Sequence, residues 1–193
     1  MQWAASFWGK VRRSLDRFVP AGPFLLGIAG VVVGLGTGVG VWLFKFMIEA
    51  VHSFAFDWLG VTLSAWGAWT IALIPVLGGL VVGYLWHQFV GHERYHGVAG
   101  IMEAAALAGG RLQYWLTPMK TVTAAVSIGA GASVGPEDPS VQVGANLGSY
   151  VGQRLRFSDD WVRTLVAAGV AAAISAAFNA PIAGVFFAIE IGL

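Results

Sequence analysis

Charged positions divide this chain into long apolar runs, and the runs predict its architecture. None of the 27 residues from 18 to 44 is charged, nor any of the 35 from 58 to 92. A helix needs roughly 20 apolar residues to cross a bilayer, so each run predicts one tilted membrane helix. A third uncharged run, 164–189, contains Pro181, which a helix interior does not accept. It predicts one helix to about Phe178 and another after Asn179. Shorter apolar pieces near 98–108, 115–132 and 139–153 are bounded by glycine, proline and charge. Half-length helices persist in a membrane only where protein buries them or where they line a cavity, and in transporters they frame a site near the midplane. The predicted fold is all-α and membrane-integral, with tilted and broken helices.

Composition supports this reading. The 193 residues are 57% hydrophobic and 11% charged, with mean hydropathy +0.72. Soluble domains carry about 25% charge. The net charge of +1 offers no field for a nucleic acid, and the absence of cysteine excludes disulfide scaffolds and thiolate zinc sites. Lys10, Arg12, Arg13 and Arg17 outweigh Asp16 ahead of the first run, which predicts a cytoplasmic N-terminus in the cell (inner) membrane. Residues 1–19 read as a cytoplasmic amphipathic segment on the membrane surface, with Trp3, Phe7, Val11, Leu15 and Phe18 at spacings of three and four. Residues 20–193 form the membrane body. Gly30, Gly34 and Gly38 in the first run, and Gly79 and Gly83 in the second, predict close helix contacts. Lys45, Glu49 and Asp57 predict the end of the first span and its loop. Arg154, Arg156, Asp159, Asp160 and Arg163 predict a solvated connection between helices.

The chemistry lies in residues 133–148, where Glu137 and Asp138 stand between Pro136 and Pro139 in an otherwise apolar stretch. An ionisable group inside a membrane protein is costly and marks a candidate functional site. Pro139 suits the first turn of a helix, which places Glu137 at a helix N-terminus, where free N–H groups favour an anion. A carboxylate there takes the anion's place and leaves it when protonated. The other reading of these residues is a capping carboxylate in a surface loop.

The stretch Gly135-Pro-Glu-Asp-Pro-Ser-Val-Gln-Val-Gly144 resembles the signature of the CLC chloride channel and chloride/proton antiporter family, and Ala177-Phe-Asn-Ala-Pro-Ile-Ala-Gly-Val-Phe-Phe-Ala-Ile-Glu190 resembles a second family stretch at the right distance. The resemblance runs from about residue 95 to the end. It implies the first half of an inverted-repeat membrane fold, a homodimer with one pathway per subunit, transport of chloride with protons as a possible second cargo, no cofactor and no enzymatic activity. By the same resemblance Glu137 is the gate, and Gly97, Glu137, Asp138, Pro139, Ser140 and Val141 belong to the anion site. His96 falls where the family places its anion-binding serine; as an alternative it is an interfacial histidine. Four departures stand out: Pro136 replaces a basic residue, Asp138 a glycine and Ala99 a proline, while Ile191 stands where many antiporters carry an inner glutamate. The second half of the family fold is absent, so the chain reads as a fragment that does not conduct alone.

Two other functions compete. His92-Glu93-Arg94-Tyr95-His96 matches the His-Glu-x-x-His zinc signature and points to an intramembrane metalloprotease. A non-conducting membrane subunit is the third. Lys120, near a helix start after Pro118, reads either as a cation facing an aqueous vestibule or as an interfacial lysine.

Overall fold

The computed structural model describes residues 21–65, 67–90 and 97–191, and among them every regular element is helical. Helix α1 (Ala21–His52) continues through a π-helical stretch, Ser53–Gly60, into α2 (Val61–Ser64). A 3₁₀ turn, Ala68–Ala72, leads into α3 (Leu73–Leu85), which ends in a π turn, Trp86–Val90. Then follow α4 (Gly97–Leu107), α5 (Thr117–Gly129), α6 (Glu137–Arg154), α7 (Asp159–Phe178) and α8 (Pro181–Glu190). Among the described residues, three stretches are long and apolar enough to cross a membrane: Gly22–Gly60, Trp69–Val90 and Asp159–Phe178. At 1.5 Å per residue the first is about 58 Å long, nearly twice the roughly 30 Å hydrocarbon core. The amphipathic segment expected over residues 1–19 lies outside the described residues.

The expected break after Phe178 is present. Asn179 takes the left-handed conformation (φ 54°, ψ 35°) and ends α7, and Pro181 opens α8, where its missing N–H is no loss. The first span departs from expectation. Lys45, Glu49 and Asp57 do not end it; the helix runs through all three. Lys45 is tolerated because its ammonium donates to the carbonyls of Ala176 (3.1 Å) and Ala177 (2.6 Å) at the end of α7. The run 58–92 is also not one helix. Its first residues belong to the π stretch and α2, and the chain turns near Gly67, whose φ of +126° suits glycine alone.

The glycine contacts differ too. A Cβ at Gly30, Gly34, Gly38, Gly79 or Gly83 meets nothing within 4 Å, so these faces are open within the chain. The buried face of α1 is Ala29, Val33, Thr37, Val41 and Phe44, and it is Gly36 and Gly40 that let Leu147 and Val143 of α6 approach. The closest backbone contact lies between α6 and α7, which run antiparallel. Gly144 abuts Gly169, Gly148 abuts the Leu165 carbonyl and Gly152 abuts Val162. Glycines four residues apart let the two backbones touch. Val141, Ala145, Val162, Val166 and Val170 form the core along this seam.

The loop after α4 is tied down from α6. Ser149 Oγ accepts from Leu112 N–H (2.8 Å) and Gln153 Nε2 (2.8 Å), and donates to the Gly110 carbonyl (2.7 Å). Of the charges expected in a solvated connection, Arg156 alone lies between the helices; Arg154 ends α6, and Asp159, Asp160 and Arg163 lie in the first turns of α7, where Arg111 Nη2 stands 2.9 Å from Asp159 Oδ1.

Candidate functional site

Helix α6 starts at Glu137, with Pro136 as the residue before its first turn (φ −82°, ψ 0°). A helix start leaves four N–H groups without intrahelical partners. Here two of the four positions are Pro136 and Pro139, which have no N–H. Only Glu137 and Asp138 offer donors. The first intrahelical bond runs from Ser140 N–H to the Pro136 carbonyl at 3.1 Å, and Ser140 Oγ donates to the same oxygen at 2.7 Å.

The two adjacent acids are held differently. Asp138 is committed at both oxygens: Oδ1 accepts from Val98 N–H at 2.9 Å, and Oδ2 accepts from Gln142 Nε2 at 2.7 Å. Val98 is the second residue of α4, so Asp138 satisfies an orphan donor of a neighbouring helix from 40 residues away. Gln142 Oε1 in turn accepts from Lys120 Nζ of α5 at 3.1 Å. Gly97 (φ +63°) lets this approach happen, since a Cβ there would stand 3.1 Å from Asp138 Oδ1. Glu137 is exposed and folds back over Gly135, where a Cβ would run into its carboxylate. Among the described residues no hydrogen bond or ion pair holds it.

A cavity of about 740 Å³ opens between α3, α4, α5 and the start of α6, a size that suits a small ligand. Gly97, Lys120, Glu137, Asp138, Pro139 and Gln142 line it. Lys120 is among the residues that line it. Of the other candidates, Ser140 and Val141 are fully buried, and Val141 belongs to the core. Neither lines the cavity, and Ser140 N–H is already bonded to the Pro136 carbonyl, so the structure does not bring these two expected site residues to it. His96 lies outside the described residues, as do His92 and Glu93 of the zinc-like motif. Among the described residues no three His, Asp or Glu side chains converge.

A family model described as voltage gated chloride channel matches residues 78–193. This chain belongs to the CLC family. It is similar to the chloride channel protein CLC-e of Arabidopsis thaliana, 35% identical over 175 residues, which is 82% of this chain and 23% of that protein. It is similar to the H(+)/Cl(-) exchange transporter ClcA of Vibrio parahaemolyticus, 31% identical over 185 residues, 92% of this chain and 39% of the relative. It is similar as well to the voltage-gated ClC-type chloride channel ClcB of Yersinia pestis, 30% identical over 170 residues, 85% of this chain and 41% of the relative. The chain therefore spans less than half the length of these CLC relatives. The matched residues contain the cavity and both of its helix starts.

Sequence reading missed three features of this CLC chain: the Lys120–Gln142–Asp138 link, the Lys45 cap on α7 and the Ser149 tie. The spacing of Asp138 and Gln142, four residues apart on one helix, was the one local signal for the first.

Proposed function

We propose that this chain contributes to a chloride pathway in which the Glu137 carboxylate occupies the anion's place at the start of α6 and vacates it on protonation or displacement. The observation that supports this is the contrast between the two acids. Glu137 heads a helix at a cavity with no hydrogen bond or ion pair to it among the described residues, whereas Asp138 beside it is bonded at both oxygens. A movable carboxylate at a positive helix end competes with a mobile anion for the same donors. Gly97 and Pro139 line the path, His96 completes the anion site with the N–H groups of Glu137 and Asp138, and Lys120 draws anions to its mouth. Selectivity then comes from helix ends and backbone N–H groups.

The relatives' names include both channels and a proton/chloride exchanger. Ile191, apolar where an inner acid would carry protons, favours the channel. The working protein is a homodimer in the cell's inner membrane, with the N-terminus cytoplasmic. The test uses the complete gene product in chloride-loaded liposomes. Glu137→Gln should raise chloride flux several-fold and flatten its dependence on pH. An unchanged flux-versus-pH curve would leave the non-conducting subunit as the better reading.

A further inference from the structure

We propose that Asp138 is a built-in anion, permanently filling the N-terminus of α4 so that the cavity offers mobile anions one helix start instead of two. The inference rests on the chloride-pathway reading above and concerns the anion occupancy of the same cavity. The starts of α4 and α6 both open on it, through Gly97 and Glu137. Each carries the positive end of a helix dipole and attracts negative charge. At α4 the attraction is already answered, because Asp138 Oδ1 holds the Val98 N–H at 2.9 Å. Gln142 anchors the second oxygen at 2.7 Å and passes the link to Lys120 at 3.1 Å. Among the described residues, the charged side chains lining the cavity are Lys120, Glu137 and Asp138. Glu137 can swing away; Asp138 cannot do so without breaking two hydrogen bonds. A chloride reaching α4 would meet a fixed negative charge at the donor it needs. Asp138 thus acts as a specificity-determining residue that lowers chloride occupancy, with Gln142 positioning it.

The test is chloride binding and thermal melting of the purified full-length protein, in chloride or in gluconate at equal ionic strength. Asp138→Asn keeps an acceptor for Val98 N–H and removes the charge; it should bind chloride at least tenfold more tightly. Asp138→Glu keeps the charge and should bind as the parent does. Asp138→Gly removes charge and cap together; it should melt lower in gluconate and be restored by chloride, a rescue the parent does not show. Parental chloride affinity in Asp138→Asn, or equal melting of Asp138→Gly in both anions, would overturn the proposal and leave Asp138 a helix cap. If Glu137→Gln raises flux while the Asp138 variants behave in that way, this inference alone fails. If Glu137→Gln also changes nothing, the chloride-pathway reading fails with it.

Discussion

Lys45 Nζ lies 2.6 Å from the carbonyl oxygen of Ala177, joining the C-terminal part of α1 to the last turn of α7 across 132 residues. The last four carbonyls of a helix have no intrahelical donors. In α7 the Ser175 oxygen accepts from the N–H groups of Asn179 and Ala180, and the carbonyl oxygens of Ala176 and Ala177 accept from Lys45 Nζ. A cation there also meets the negative end of the helix dipole. Hydrogen bonds to a charged group contribute about 1.5–3 kcal/mol. Lys45→Met should therefore lower stability by about 2 kcal/mol in denaturant titration, with Lys45→Arg retaining part of it. An unaltered midpoint in the Met variant would refute the cap.

Ser149 uses all of its bonding capacity, one donor and two acceptors, inside the protein. Ser149→Ala leaves Leu112 N–H and the Gly110 carbonyl without that partner. Each orphaned buried group costs about 1–3 kcal/mol, so the loop 108–113 should loosen. Hydrogen exchange at Leu112 reads this directly, and retained protection would contradict it.

Gly169 and Gly30 are both helical glycines with opposite surroundings. Gly169→Ala drives a methyl into the Gly144 carbonyl and should cost about 1–3 kcal/mol, as overpacking does. Gly30→Ala meets open space and should add about 0.5–1 kcal/mol through helix propensity. Thermal melts of the two variants must move in opposite directions; a shared direction would refute the close α6–α7 contact.

Gly135 bears on the proposed gate, Glu137, without touching its charge. A Cβ there overlaps the Glu137 carboxylate in the folded-back position. Gly135→Ala should displace that carboxylate and raise chloride flux of the complete protein several-fold while Glu137 is intact. Parental flux would show that the folded-back position does not close the path.

The features legible in the sequence were those set by neighbouring residues. Pro181 and Asn179 announced the break between α7 and α8, because proline stops a helix and asparagine accepts a left-handed turn. Pro139 and the two acids announced the start of α6 in the same way. Features that depend on distant partners were not legible. Glycine spacing is the same at Gly30, Gly34 and Gly38 as at Gly144, Gly148 and Gly152, yet only the second set has a helix against it. Lys45 looked like the end of a span because nothing near it in sequence shows the α7 carbonyls. Asp138 read as an anion-site residue that departs from the family's glycine, and its partner at Val98 could not be read from spacing.

The two prolines at the start of α6 fix a stoichiometry. With Pro136 and Pro139 silent, the N–H groups of Glu137 and Asp138 are the whole donor set at that end. Two adjacent donors coordinate one monovalent acceptor at a time. On the proposed chloride-pathway reading, carboxylate and chloride would exchange by mutual exclusion there, and occupancy of that end by chloride would rise hyperbolically with concentration, as for any single competitive site.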